Sequence, residues 1–128
     1  MKNLLILLLL CITTLMHAQL DGLTGKWKLE KIETTEKTMV PEGEKEYYLT
    51  ISGTYTTYNL DINKCWGTIA SLTDSIITLT NNDCTKVCCD GSENPFSLYI
   101  NYTGKYSLQH DSILIITTKN GDLYLRKQ

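Results

Sequence analysis

Cysteines are the residues of this 128-residue chain whose type and spacing could most readily do chemistry. Four of the five lie in its second half, at Cys65, Cys84, Cys88 and Cys89. Four thiolates could hold zinc or copper(I), but the spacing lacks the CxxC pairs of structural zinc sites. An even number of cysteines in a small exported domain favours disulfides instead. We therefore expect two disulfides and no metal.

The connectivity of these disulfides is only partly limited by the sequence. Joining Cys88 to Cys89 requires a strained eight-membered ring, which disfavours that pairing. We expect Cys65 to pair with Cys88 or Cys89, and Cys84 to pair with the other. The cross-links would hold the loop 84–95, which has few apolar side chains, and would contribute about 2–4 kcal/mol to stability.

The remaining reactive side chains give no case for catalysis. His110 stands in an apparent turn, Gln109-His110-Asp111, where an exposed polar residue is ordinary. Glycoside chemistry needs two carboxylates converging in a cleft, whereas Glu30 and Asp61 fall on expected outward faces. The sequence also lacks a Gly-rich phosphate loop and a nucleophile elbow. We expect no enzyme and no cofactor.

The N-terminus has the pattern of a secretory signal peptide. Lys2 supplies a positive charge, Leu4–Leu10 is an unbroken apolar run, and Ala18 is a small residue suited to cleavage. The run is too short to span a bilayer, which takes about 20 apolar residues. We expect cleavage after Ala18, which divides the chain into a signal peptide, 1–18, and one domain, 19–128.

Charge and export limit the kinds of partner. Removing Lys2 with the signal peptide changes the formal net charge from −2 to −3. This mild acidity gives no electrostatic case for nucleic acid or an anionic membrane. Lipid anchoring through Cys11 is disfavoured, because only seven apolar residues precede it and no small residues flank it. We expect a periplasmic or extracellular protein with no membrane span.

The mature region alternates apolar and polar residues with period two, as in Trp27 and Leu29 against Lys28 and Glu30. Asn120-Gly121 is a strong hairpin signal, and Gly67 suggests a bulge. Turn signals recur at intervals of about ten residues, which is typical of a sandwich or barrel. We predict an all-β domain, a single small antiparallel β-barrel with a small or filled interior. Its strands are expected near 26–30, 47–51, 57–62, 65–69, 76–80, 96–108 (interrupted at Thr103-Gly104), 112–118 and 123–127, about eight in all.

Several segments together resemble two groups of small exported bacterial proteins, the META domain and the lipocalin-like domain. The segments are Leu23–Leu29, Cys65–Gly67 with Cys84–Cys89, Gly104–Leu108 followed by Asp111–Ile115, and Leu123–Arg126. The resemblance implies a small β-barrel fold with binding, envelope or stress roles. It carries over no general catalytic residue.

The lipocalin-like resemblance also implies a structural closure between Trp27 and Arg126. In that group, an arginine of the last strand covers the tryptophan of the Gly-x-Trp opening, here Gly25-Lys26-Trp27. We expect neighbouring first and last strands, with the Arg126 guanidinium within about 6 Å of the Trp27 ring. Because alternation places Arg126 outward and Trp27 inward, the contact requires a curl or bulge.

The tyrosine content adds a hint about function. Eight tyrosines and two tryptophans suit a ligand cavity or an interface, although strands favour tyrosine in any case. We expect a monomeric, non-enzymatic exported binding module for a small apolar ligand or an envelope protein. The alternative is a disulfide-stabilised structural or inhibitor-type domain that acts through the loop 84–95.

Overall fold

The computed structural model describes residues 2–60, 62–85 and 102–128. In these ranges one helix precedes nine strands. The elements are α1 (Lys2–Leu23), β1 (Gly25–Glu33), β2 (Thr38–Met39), β3 (Tyr48–Ser52), β4 (Tyr55–Leu60), β5 (Asn63–Leu72), β6 (Ile76–Cys84), β7 (Tyr102–Gln109), β8 (Ile113–Thr118) and β9 (Gly121–Lys127).

Eight of these strands close into an antiparallel barrel. Each strand from β3 to β9 pairs with the next along the chain, and β1 pairs with both β3 and β9 to complete the ring. The short β2 adds to the second half of β1, opposite Ile32 and Glu33. The predicted fold class, an all-β antiparallel barrel of about eight strands, is confirmed.

Inward-facing side chains from all eight barrel strands pack together along its axis. Trp27, Leu29 and Ile32 of β1 are buried, as period-two alternation with one bulge requires. The other strands contribute mainly Leu and Ile, with Tyr106 and Leu108 of β7 packed partly buried against the cluster. The bulge between Leu29 and Lys31 turns both Glu30 and Lys31 toward the outside.

The helix α1 continues past the expected cleavage point at Ala18 and ends at Leu23. Its first turns are apolar and exposed, and it is long and apolar enough to cross a membrane, a test that a signal sequence also passes. Its last turn belongs with the barrel, because Leu23 is buried and Leu20 packs against the core. The spacing of Leu20 and Leu23 places both on one face of the helix.

Two expected interruptions of strands are wrong. The strand expected near 76–80 does not end there, because β5 offers a partner farther along and β6 runs through Asn81–Asp83 to Cys84. Thr103-Gly104 lies inside β7, where Gly104 lets the backbone approach Thr117 closely. Residues 96–101, also expected to form a strand, lie outside the described ranges.

The turns differ in detail from the expectation. The hairpin at Asn120-Gly121 is confirmed, but Gly121 already pairs with Thr118, so its loop residues are Lys119 and Asn120. A turn whose two central residues both have left-handed backbone was expected at Asn120-Gly121. The structure has such a turn between β7 and β8, at His110 (φ 50°) and Asp111 (φ 54°). Asp and His tolerate this conformation better than most residues, which fits their place in this turn.

Candidate functional site

A disulfide joins Cys65 of β5 to Cys84 of β6, with an S–S distance of 2.07 Å. The expectation that each would pair with Cys88 or Cys89 is therefore wrong. The two residues stand directly opposite each other in the β5–β6 register, with Cα atoms 4.0 Å apart, so the sheet itself brings the thiols together. Cys88 and Cys89 lie outside the described residues, as does most of the loop 84–95.

The disulfide lies at the end of the β5–β6 ladder, and hydrogen bonds between the two chain segments continue one residue beyond it. Beyond Cys84, the Thr85 amide donates to the Lys64 carbonyl, and the Lys64 amide donates to Thr85 Oγ1 at 3.0 Å. The Thr85 hydroxyl donates to Asn63 Oδ1 at 2.7 Å. Cys65 is 2% exposed, so this bond has the surroundings of a structural cross-link. Among the residues that the structure describes, no group of three or more His, Cys, Asp or Glu side chains could hold a metal ion.

The first and last strands are neighbours, as expected, but the cation over the Trp27 ring is Lys127 and not Arg126. β1 and β9 pair antiparallel, with Trp27 opposite Lys127. Lys127 Nζ lies 5.3 Å from the centroid of the Trp27 ring. Arg126 faces outward beside Lys28, so the predicted contact between Arg126 and Trp27 is wrong. Strand alternation alone indicates Lys127, because it shares the inner face with Leu125.

Arg126 instead forms an ion pair with Glu30 on the outside of the barrel. Its Nε and Nη2 both donate to the Glu30 carboxylate, the second at 3.3 Å. The hydrogen bond to Glu30 raises the pKa of Arg126. Alternation after the buried Leu29 places Glu30 on this outer side. The placement agrees with the expectation that Glu30 is a surface acid.

Two further ion pairs continue this charged surface. Lys28 Nζ lies 2.5 Å from Glu46, and Lys31 Nζ lies 2.5 Å from Glu33. The hydrogen bond from each lysine is the main cause of a lowered pKa for its glutamate, and a tyrosine hydroxyl adds to it in both cases. Exposed pairs of this kind contribute little to stability. We call Lys28, Glu30, Lys31, Glu33 and Arg126 the charged face.

A shallow polar groove of about 340 Å³ opens where β1 ends beside the β8–β9 hairpin. Glu33 and Asp122 stand opposite each other there in the β1–β9 register. Hydroxyl, amide and charged side chains dominate its lining, which suits water and small polar molecules better than an apolar ligand. It is lined by Glu33, Thr34, Thr35, Thr118, Lys119, Asn120, Gly121 and Asp122.

The other reactive side chains considered from the sequence have surface positions. His110 is exposed in the β7–β8 turn, as expected. Asp61 lies outside the described residues. Sequence reasoning missed two exposed aromatic side chains of the barrel strands, Tyr55 at 73% and Trp66 at 43%. Counting alternate positions back from the buried Tyr58 and forward from the buried Cys65 would have placed both rings outside.

Comparison with known proteins supports the fold alone. No family model and no curated protein matches the chain. One solved structure, an NMR structure of a protein from Burkholderia xenovorans, is similar with a TM-score of 0.62 and 13% sequence identity. The similarity covers 87% of each chain. The chain thus shares a small barrel fold with that protein.

Proposed function

We propose that this chain is a non-enzymatic binding module that works after export, in the periplasm or outside the cell. The observation that carries the proposal is the packing of the barrel. The inward-facing side chains of all eight strands form one apolar cluster, so the polar and aromatic side chains available for recognition are on the outside. This favours a partner in the cell envelope over a small apolar ligand held inside.

Two features support the exported location. The Cys65–Cys84 disulfide is compatible with an oxidising compartment, and the apolar N-terminal helix is compatible with a signal sequence. The META and lipocalin-like resemblances support the same proposal, because both groups are small exported barrels. In this proposal residues 1–18 direct export and residues 19–128 form a monomeric barrel domain.

The test is expression of the full chain in its own host, followed by purification from the cell envelope. We expect a mature N-terminus at Gln19, an oxidised Cys65–Cys84 pair and a bound envelope component in native mass spectrometry. Ala18→Arg is the matched control, which should retain the signal peptide. A cytoplasmic product with reduced thiols would contradict export, and a stoichiometric bound lipid would restore the interior-ligand hypothesis.

A second candidate is a structural or inhibitor-type domain that acts through the loop 84–95. The disulfide favours it, because Cys84 fixes the first residue of that loop to β5. Replacing residues 86–95 with a Gly-Ser linker distinguishes the two candidates. Loss of the partner with an unchanged unfolding midpoint supports the loop, whereas retained binding supports the barrel surface.

A further inference from the structure

The outside of the barrel is divided into two chemically different faces. On β1 and β9, the charged face carries acids and bases that are already paired with one another. On β3 to β6, six neighbouring outward side chains are threonines or aromatic residues, with the charged Lys64 and Asp83 beside them. We call this set the threonine–aromatic face; it consists of Thr50, Tyr55, Thr57, Trp66, Thr68 and Thr80.

The strand register places these six side chains in two neighbouring rows. One row runs Thr50, Thr57, Trp66 across β3, β4 and β5, and the other runs Tyr55, Thr68, Thr80 across β4, β5 and β6. Tyr55 and Trp66 are therefore diagonal neighbours on adjacent strands. Residues in this relation are within reach of each other when the side chains are aromatic. The face thus presents two rings with hydroxyls beside them.

Two hydroxyls of this face, those of Thr68 and Thr80, are held in place by each other. Thr80 Oγ1 donates to the Thr68 carbonyl at 3.3 Å, and the Thr68 and Thr80 hydroxyl oxygens are 3.0 Å apart. Either hydroxyl can be the donor between these two oxygens. Because each hydroxyl oxygen has two acceptor lone pairs, the pair keeps capacity to accept a hydrogen bond from a ligand hydroxyl.

The two rings are exposed to an extent that is unusual for large aromatic side chains. Tyr55 is 73% exposed and Trp66 is 43% exposed, although a buried position would stabilise either ring. Charges stand at the border of this area, where Lys26 is opposite Thr50 and Asp83 is opposite Trp66. Lys64 Nζ lies over the Trp66 ring, 5.9 Å from its centroid. A ligand that covers the rings would meet these groups as hydrogen-bonding partners at its edge.

We propose that the threonine–aromatic face binds a neutral glycan chain. Sugar rings expose C–H groups on their flat faces, which pack on aromatic rings, and hydroxyls at their edges, which pair with threonine oxygens. The uncharged centre of the face complements a ligand without charge. A protein partner is less well matched, because the two rings are set among hydroxyls and do not form a continuous apolar core. This inference rests on the proposed function as a binding module.

The test is affinity electrophoresis of the mature chain in gels that contain xylan, β-glucan or galactomannan. The chain is produced with its own signal peptide and purified after export. We expect retardation in at least one gel. Trp66→Ala and Tyr55→Ala should each weaken binding by about tenfold or more, and Trp66→Phe should retain part of it. Tyr124→Ala, the control on the outer side of β9, should bind as the wild type does. Retardation should persist from about 0.05 M to about 1 M salt, because no charge pairing is involved.

The outcomes separate this inference from the function on which it rests. Retardation that disappears in high salt, or that Tyr124→Ala weakens equally, would overturn the glycan proposal. The glycan proposal would also be overturned if no gel retards the chain while a photo-crosslinker at position 55 captures an envelope protein. That result would still support the proposed function as a binding module. Absence of retardation, with no adduct from positions 55, 66 or 124 in the native envelope, would overturn both. Unfolding midpoints of all variants must match the wild type before binding is compared.

Discussion

Trp27 is held at both its polar and its apolar parts, and it has no exposed surface. Its indole Nε1 donates to the Leu23 carbonyl at 2.8 Å, which satisfies the one polar atom of the side chain. Lys127 Nζ lies over the ring, while its aliphatic stem passes Gly25. The tryptophan therefore ties the end of α1, the start of β1 and the end of β9 together.

A double-mutant cycle should find the energetic coupling at Lys127 and not at Arg126. Trp27→Phe combined with Lys127→Met should lose less stability than the sum of the single changes, with a coupling of about 0.5–1 kcal/mol. Trp27→Phe combined with Arg126→Met is the control and should be additive within about 0.5 kcal/mol, because Arg126 pairs with Glu30 on the other side of the strand. Urea unfolding measures both cycles, and coupling at Arg126 would contradict the arrangement.

The β-bulges bend the strands and increase their twist, which helps eight strands close into a ring. The β5–β6 register shifts between Trp66 and Gly67, and the extra residue is Asn82 of β6, opposite the glycine at which a bulge was expected. A Cβ at Gly67 would stand 1.9 Å from the Thr80 carbonyl oxygen, so a side chain there would push β5 away from β6. Plain alternation on either side of this point leaves Trp66 on the outside while Cys65 remains inside.

Gly67→Ala should destabilise the barrel by about 1–3 kcal/mol, because the backbone must move to admit the methyl group. Gly22→Ala is the control. A Cβ at Gly22 makes only an ordinary contact with Leu108, at 3.8 Å, and alanine suits the helix better than glycine. Its unfolding midpoint in urea should be unchanged or higher. Equal midpoints for the two variants would mean that the β5–β6 ladder tolerates the added atom.

Alternation predicted which residues face inward but not which strands meet. Trp27 and Leu29 alternate with Lys28 and Glu30 in the sequence, and both are buried, because period-two patterning is a local property of the chain. Pairing register is not local, so neither the Cys65–Cys84 bond nor the proximity of Tyr55 to Trp66 could be obtained from spacing. Asn and Asp locally favour a turn at Asn81–Asp83. Pairing with β5 and the Cys65–Cys84 disulfide outweigh that preference.

At the scale of the whole molecule, the export segment and the folded domain share one helix. α1 carries exposed apolar residues up to the expected cleavage site, and its last turn then packs on the end of the barrel. The Thr24 amide donates to the Leu20 carbonyl at 2.9 Å, which joins that turn to β1. Cleavage after Ala18 would leave this turn with the barrel, so the proposed mature chain keeps its closed end.

The last turn of α1 should therefore be worth measurable stability to the mature domain. A chain that starts at Thr24 should unfold at a lower urea concentration than one that starts at Gln19, since it lacks Leu20 and Leu23 and leaves the Trp27 indole N–H without the Leu23 carbonyl. Leu23→Ala in the longer chain should cost about 2 kcal/mol or more, because it removes a side chain that is 1% exposed. Asp21→Ala is the matched control on the exposed side of the same turn and should leave the midpoint unchanged.

Trp27 fluorescence reports the local change, since water reaches the indole only when the turn is lost. If the shorter chain and Leu23→Ala both unfold at the midpoint of the longer chain, the turn contributes nothing to the barrel and belongs only to the export segment.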